Sequence, residues 1–168
     1  DMGIDIEYVG LELDTRLVSF AQGVFHGDSN FRAVHGEVSD LGRFPDQSFD
    51  LVTSHHVHSY ALDQPLAIRE AVRVSRVAAV INMAMTQDDT GAEFSHATTS
   101  TMTGTVFKVP SIKEFLAMVN QSDGRYVFAF SKHWASQMKI DNSYIGSVQS
   151  TPYWHNMVVS RYPVLKPI

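Results

Sequence analysis

The sequence predicts an α/β fold with a mainly parallel sheet and an antiparallel end. Three observations support this fold class. Strand-like and helix-like segments alternate along most of the 168 residues. Two apolar runs, FDLVTS and VAAVINMAM, are typical of strands that are buried on both faces. Two apolar segments near the end have no helix between them, which indicates an antiparallel pair.

The first half of the chain predicts regularly alternating elements. An apolar strand over residues 8–13 is followed by a helix from Thr15 to Val24, and Asp14 is placed to cap its N-terminus. The next predicted elements are strands over residues 31–36 and 49–54, a helix over 64–76 that Asp63 caps, and a strand over 77–85. This succession favours a parallel sheet covered by helices.

The second half is less regular. Residues 86–106 are rich in small polar side chains without periodicity, which predicts a long loop or lid, with the Thr- and Ser-rich part at 98–105. Ser111 and Glu114 form a capping-box pattern that begins a helix within residues 110–124. The last predicted elements are strands over 125–140 and 153–164, separated by a turn-like stretch at 141–152.

Composition narrows the classes of function. Hydrophobic residues make up 44% of the chain, enough for a core, and we expect one domain over residues 1–168. The net charge of -5 argues against a protein that binds nucleic acid through its backbone. The absence of cysteine excludes disulfides and thiolate metal sites. No apolar run is long enough for a membrane span, and the first residues lack a signal-peptide pattern, so we expect a cytoplasmic protein.

The stretch HHVHSY places three histidines close together. Strand alternation would put His56 and His58 on one face and His55 on the other. No carboxylate or thiolate pattern accompanies them, so we expect no metal site here. His55 or His58 is a candidate general base, because the pKa of histidine suits proton removal near neutral pH. The alternative is a structural histidine or one in a pocket wall.

Three segments carry a family resemblance. YVGLELDTRLVSFAQ gives a strand, an acid and a helix; VHGEVSDLGRFPDQSFDLVTSHHVHSY gives a Gly-Glu pair and a second strand; AIREAVRVSRVAAVIN gives an acid, an Arg-Val pair and a third strand. This succession resembles the class I S-adenosylmethionine-dependent methyltransferases of small molecules. FPDQSFDLV is the most specific piece, and the resemblance covers nearly the whole chain.

The resemblance implies a Rossmann-like fold, S-adenosylmethionine as cofactor, and a set of binding residues at the carboxyl ends of strands. Glu12, with Leu13, would bind the two ribose hydroxyls. Glu37 would accept from the adenine amine, where the family more often has Asp, and the Val38 amide would serve a ring nitrogen. Ser54 and His55 would face the methionine part and the substrate.

The chain also departs from this family. The family's first strand, its glycine-rich loop and the following helix have no counterpart in the sequence, and no G-x-G motif occurs anywhere in it. In the family that strand lies at the centre of the sheet. The strand at 8–13 must then pair directly with the strand at 49–54, or another molecule must fill the gap. We therefore expect an incomplete domain that forms a homodimer or a rearranged sheet.

Three functional hypotheses follow from the sequence. The first is a methyltransferase that acts on a small molecule and binds neither nucleic acid nor membrane. The second is a non-catalytic remnant or binding module of the same fold, alone or completed by dimerisation, which the missing glycine loop favours. The third is a fragment of a longer enzyme.

Overall fold

A computed structural model describes residues 5–86, 92–96, 106–120, 126–130, 144–145 and 153–160. The helices in this part are α1 (Thr15–Val24), α2 (Gln64–Val74) and α3 (Ile112–Asn120), with a short 3-10 helix at His58–Tyr60. The strands are β1 (Tyr8–Glu12), β2 (Phe31–His35), β3 (Phe49–His55), β4 (Ser75–Met85), β5 (Ala92–His96), β6 (Val106–Val109), β7 (Tyr126–Phe130), β8 (Tyr144–Ile145) and β9 (Tyr153–Ser160).

The first three elements form an N-terminal unit, β1–α1–β2. Strand β1 pairs in parallel with β2, in a register that runs from Tyr8 opposite Phe31 to Glu12 opposite His35. Helix α1 connects the two strands and begins as predicted, because the Asp14 side chain accepts a hydrogen bond from the Arg16 amide at 2.8 Å. The parallel pair brings the carboxyl ends of both strands to one edge.

The main sheet has the strand order β3-β4-β9-β7. Strands β3 and β4 are parallel, whereas β9 is antiparallel to both β4 and β7. The predicted mixture of parallel strands with an antiparallel C-terminal end is therefore confirmed. Helices α2 and α3 also begin as predicted. Asp63 accepts from the Leu66 amide at 2.9 Å, and Ser111 and Glu114 form the reciprocal capping box at 2.8 and 3.1 Å.

The prediction of a loop throughout residues 86–106 is wrong, because β5 lies within that range. It pairs antiparallel with β6 on one side and with β8 on the other. Residues 141–152 are predicted to form a turn, but strand β8 lies within them. Pairing between distant strands supplies backbone hydrogen bonds that local composition does not reveal. Residues 98–105, the proposed lid, lie outside the described residues.

The hydrophobic core lies between the main sheet and helices α2 and α3. Each of its members is buried and belongs to α2, β4, α3 or β9. The members are Ile68, Ala71, Val72, Ala79, Ile81, Met83, Met85, Phe115, Val119, Met157 and Val159. Strand β4 is largely buried, as predicted. The prediction that β3 is buried on both faces is wrong, because Leu51 is 56% exposed and only Val52 packs against this core.

The structure does not show the direct pairing of β1 with β3 that the sequence predicts as one alternative. Among the described strands, β1 has β2 as its one partner, and β3 has β4. Each of the two strands therefore keeps one edge without a backbone partner in this part of the chain. No described strand pairs with both β1 and β3, so the gap expected between the segments YVGLEL and FDLVTS stays a prediction.

Candidate cofactor and substrate site

The predicted binding residues lie where strands β1, β2 and β3 end. The Gly36 amide, just past β2, donates to the Glu12 carbonyl at 3.0 Å, so the ends of β1 and β2 are tied together. A Cβ on Gly36 would come within 2.8 Å of Leu11 Cδ1, so glycine allows the chain to leave β2 close beside β1. Ligands of open parallel sheets bind beyond such carboxyl ends.

Glu12 is the last residue of β1, and its carboxylate is held by its own turn. The oxygen Oε1 accepts hydrogen bonds from the amides of Leu13 at 2.8 Å and Asp14 at 3.0 Å. The other oxygen, Oε2, has no hydrogen-bond donor among the described residues. The carboxylate is therefore oriented before any ligand binds, with one oxygen available. The Leu13 side chain is 64% exposed beside it.

Glu37 shows the same arrangement at the end of β2. Its Oε2 accepts from the Ser39 amide at 2.6 Å and also from the Ser39 hydroxyl. Its Oε1 has no donor in the described part of the chain. Val38, between these two residues, is half-buried. The two acids thus face the space beyond neighbouring strands as acceptors, each with one carboxylate oxygen held by the residues that follow it.

Ser54 and His58 form a buried pair at the end of β3. The Ser54 hydroxyl oxygen lies 2.7 Å from His58 Nδ1, and His58 Nε2 lies 3.4 Å from the Ala67 carbonyl on α2. Gln64 fixes the same turn, because its amide nitrogen donates to the His58 carbonyl at 3.1 Å. Residue types alone do not indicate that these two candidate residues, four positions apart, contact each other.

Burial lowers the pKa of His58 to about 4, although the Ala67 carbonyl and the negative charge of Glu37 act in the opposite direction. His58 is therefore neutral at physiological pH. Both of its ring nitrogens are engaged by protein atoms. These facts favour the structural alternative for His58 over a role as general base. The influence of Glu37 on this ring also indicates that the ends of β2 and β3 are electrostatically coupled.

His55 and His56 lie on the solvent side of the same strand end, and both are exposed. His56 has a φ of 64°, a left-handed conformation that is uncommon for residues other than glycine. Its amide donates to the Asn82 carbonyl at 2.9 Å, which holds the bend at the end of β3. Strained backbone of this kind clusters at functional sites. Sequence reasoning missed this feature, because His56 carries no turn-forming signal.

Arg73 on α2 holds the loop that leads from Glu37 to β3. Its guanidinium makes a two-pronged ion pair with Glu70 at 2.7 and 2.8 Å and binds Asp46 at 2.6 Å. It also donates to the carbonyls of Leu41 and Phe44, both at 3.0 Å. The ion pair lowers the pKa of Glu70 and raises that of Arg73.

The described residues contain no group of three His, Asp or Glu side chains arranged to hold a metal ion. In the same part of the chain, no helix is long and apolar enough to cross a membrane.

The site can be tested for its fit to an adenosyl cofactor. A ribose diol needs a carboxylate that accepts hydrogen bonds, and the oriented Glu12 carboxylate has an available oxygen. An adenine amine needs a second acceptor, and Glu37 has a carboxylate oxygen without a donor among the described residues. The Ser59 hydroxyl, next to His58, is buried with no hydrogen-bond partner among the described residues, and such groups normally meet a further polar atom. The residues present therefore fit the adenosyl part.

Comparison with known proteins agrees with this geometry. A family model described as "Methyltransferase domain" matches residues 1–81, just under half of the chain. No protein of curated function matches the sequence.

Several solved structures share the fold at low sequence identity. An S-adenosylmethionine-dependent methyltransferase from Mesorhizobium loti has a TM-score of 0.63 at 13% identity, over 92% of this chain and 81% of that protein. The N-terminal domain of EvdMO1, solved in the presence of SAH and D-fucose, also has a TM-score of 0.63 at 13% identity, over 92% and 66% of the two chains.

A third similar structure is the [4+2]-cyclase SpnF. Its TM-score is 0.59 at 14% identity, over 75% of this chain. This chain spans only 45% of the length of the cyclase. The fold expected from the sequence is confirmed: residues 1–81 match the methyltransferase-domain model, and the chain shares its fold with a solved S-adenosylmethionine-dependent methyltransferase.

Proposed function

We propose that this chain binds S-adenosylmethionine and transfers its methyl group to a small molecule. One observation carries the proposal. Two carboxylates, Glu12 and Glu37, stand at the ends of neighbouring parallel strands, and each has one oxygen held by backbone amides and one oxygen available. Acceptors that are oriented before binding lose little entropy when a ligand arrives, so they favour a specific polar ligand.

Each predicted residue has a role in this proposal. Glu12 accepts from the ribose hydroxyls, and Leu13 offers apolar surface beside them. Glu37 accepts from the adenine amine, and the Val38 amide donates to a ring nitrogen. Ser54 lies towards the methionine part. The cofactor supplies an electrophilic methyl carbon. A bond forms between that carbon and a nucleophilic oxygen or nitrogen of the substrate, its bond to sulfur breaks, and S-adenosylhomocysteine leaves.

The accepting atom loses a proton when it is a hydroxyl or a protonated amine. We assign this proton to His55, because its side chain is exposed at the end of β3. His58, the other candidate base, is neutral but buried, and its pKa of about 4 makes it a weak base. The protein would otherwise act mainly by aligning nucleophile, methyl carbon and sulfur.

A small-molecule substrate is supported by charge and by the comparisons. The net charge of -5 offers little attraction to a polyanion. A protein with this fold was solved with SAH and D-fucose, which are both small molecules. A cytoplasmic location belongs to the same proposal, and cell fractionation would test it.

The second candidate function is a binding module without methyl transfer. It is favoured by the similarity to a [4+2]-cyclase, because this similarity indicates that the fold alone does not fix the reaction.

We further propose that the chain forms a homodimer through its N-terminal unit. Helix α1 exposes Leu17, Phe20 and Val24, which recur at helical spacing and form one apolar stripe. The neighbouring strand β1 has a free edge in the described sheet. An exposed apolar stripe and a free strand edge both favour association with a second copy of the chain. Light scattering should give twice the chain mass at micromolar concentration, and a monomer at every concentration would contradict the dimer.

Calorimetric titration with S-adenosylmethionine and S-adenosylhomocysteine distinguishes the two candidate functions. The proposed enzyme binds both ligands with micromolar affinity. No binding at millimolar ligand would favour the module without cofactor. Methyl-labelled S-adenosylmethionine, incubated with a panel of small hydroxyl and amine compounds, would then identify the acceptor.

A further inference from the structure

The surroundings of the buried Ser54–His58 pair determine which of the two side chains donates the hydrogen bond between them. Nε2 of His58 faces the Ala67 carbonyl, and Nδ1 faces the Ser54 hydroxyl at 2.7 Å. A carbonyl oxygen can only accept a hydrogen bond, so Nε2 must carry the ring proton. In a neutral ring Nδ1 is then an acceptor. The Ser54 hydroxyl must therefore donate its proton to His58.

We propose that His58 is a positioning residue: it accepts the hydrogen bond that the Ser54 hydroxyl donates, and so presents Ser54 Oγ to a bound ligand only as an acceptor. This inference rests on the proposed function for the identity of the ligand. It is independent of the roles of Glu12 and Glu37.

The surroundings keep this arrangement fixed. His58 is fully buried, and its backbone carbonyl is held by Gln64. The pKa of His58, near 4, keeps the ring neutral across the physiological range, so Nδ1 stays unprotonated. Ser54 Oγ has no second hydrogen bond among the described residues. The lone pairs of this oxygen can therefore accept a hydrogen bond from a ligand.

A fixed acceptor selects the chemical class of its ligand. An acceptor at the end of β3 attracts a donor group, such as an ammonium, and repels a carboxylate or phosphate. Within S-adenosylmethionine the matching group is the α-ammonium of the methionine part. Ser54 would therefore discriminate for a ligand that carries this ammonium against one that lacks it.

The ring tautomer can be tested without any ligand. Long-range ¹H–¹⁵N NMR of the histidine rings should show His58 with its proton on Nε2 and a bare Nδ1 at pH 7. The spectrum of Ser54→Ala assigns the resonance by its shift. A proton on Nδ1, or a doubly protonated ring at pH 7, would overturn the inference whether or not the protein binds a cofactor.

The selectivity can be tested with two matched ligands, S-adenosylhomocysteine and its analogue without the amino group. Wild-type protein should bind the first about tenfold more tightly in calorimetry, the order expected for a hydrogen bond to a charged group. Ser54→Ala should abolish this preference, and His58→Ala should weaken it, because the hydroxyl is then free to donate as well as to accept. His58→Asn should retain it, because its Oδ1 accepts at about the place of Nδ1. A purely structural role would change both affinities together.

His26→Ala is the matched control, since His26 is an exposed histidine whose ring forms a hydrogen bond with the Gly23 carbonyl of its own turn. It should keep the wild-type preference. A Ser54→Ala protein that still prefers the amino ligand tenfold would overturn the inference. A wild-type protein that binds neither ligand would overturn the proposed function and the ammonium contact, while the tautomer would still be decided by NMR alone.

Discussion

The N-terminal unit and the main sheet of this protein bury apolar surface very differently. The core cluster comes entirely from α2, β4, α3 and β9. Within residues 5–36, the buried apolar side chains are Val18 and Ala33 alone. By contrast, residues 6–25 hold seven of the twelve large hydrophobic side chains that are exposed in the described part of the chain.

This difference shows which part of the fold is self-sufficient. Four paired strands covered by two helices can bury a core, whereas a two-stranded pair is marginal on its own. Yet the N-terminal unit carries Glu12 and, just past its last strand, Glu37. The proposed cofactor site therefore depends on the less stable region, and its stability depends on what covers β1 and α1.

The largest effect should separate two phenylalanines. Phe115 is fully buried in the core, so Phe115→Ala leaves a cavity. The replacement should lower the free energy of unfolding by about 3–5 kcal/mol. Phe20 is 70% exposed on α1, so Phe20→Ala should change the free energy of unfolding by less than about 0.5 kcal/mol in a monomer. Urea denaturation at low protein concentration measures both values.

The same pair tests the proposed dimer. At high protein concentration Phe20→Ala should become destabilising, since association would bury its side chain. Equal costs for both variants at low concentration would contradict the contrast between the two regions.

The second largest effect is the pH dependence of the free energy of unfolding that the buried His58 causes. Its pKa is about 4 in the folded protein and 6.5 in the unfolded chain, so the unfolded chain binds more protons between these values. Stability should therefore rise with pH across this window, and about 3 kcal/mol should be lost as pH falls from 6.5 to 4. Denaturation curves at several pH values measure this loss.

His58→Asn removes the titrating ring while keeping an acceptor for Ser54. Its stability should lose that part of the pH dependence. If the variant kept the full wild-type slope between pH 4 and 6.5, the loss would belong to other groups.

Arg73 anchors the loop that runs between the two regions, so its removal should have an intermediate effect. Arg73→Ala leaves the carbonyls of Leu41 and Phe44 without this donor, and we expect a loss of about 2 kcal/mol. Arg76→Ala is the control. Its ion pair with Asp50 is exposed, and such pairs contribute at most about 1 kcal/mol. Equal losses in thermal denaturation would argue against the role of Arg73.

The smallest effects concern the two aspartate caps. Asp63→Ala should lower global stability by about 1 kcal/mol, because α2 belongs to the core. Asp14→Ala should mainly speed hydrogen exchange of the α1 amides. A hydrogen bond from the Arg16 side chain lowers the pKa of Asp14 to about 2, so this cap stays charged in mild acid. Uniformly faster exchange across the protein would show that α1 unfolds only with the core.

The parts of the fold predicted correctly are those with local signals. Helices α1, α2 and α3 were marked by caps whose side chains make the expected hydrogen bonds. Strand β5 was missed because its pairing with β6 and β8 is a long-range property. The exposure of Leu51 was missed for a related reason, since an apolar run does not reveal whether a neighbour covers it.

The candidate site was predictable in part. The resemblance located Glu12, Glu37 and Ser54, and the structure places all three at strand ends. It did not reveal that both carboxylates are held by their own turns, or that His58 lies against Ser54. Those contacts depend on rotamers and burial, which residue types alone do not determine. Whether these residues bind a cofactor remains a prediction.

The proposed cofactor site can be tested by comparing two glutamates at opposite ends of β1. Calorimetry should give micromolar S-adenosylhomocysteine binding for the wild type. Glu12→Ala should weaken it at least about tenfold, because charge-assisted hydrogen bonds to the ribose are lost. Glu7→Ala, an exposed acid before the strand, should bind like the wild type. Equal affinities for both variants, or no wild-type binding at millimolar ligand, would contradict the account.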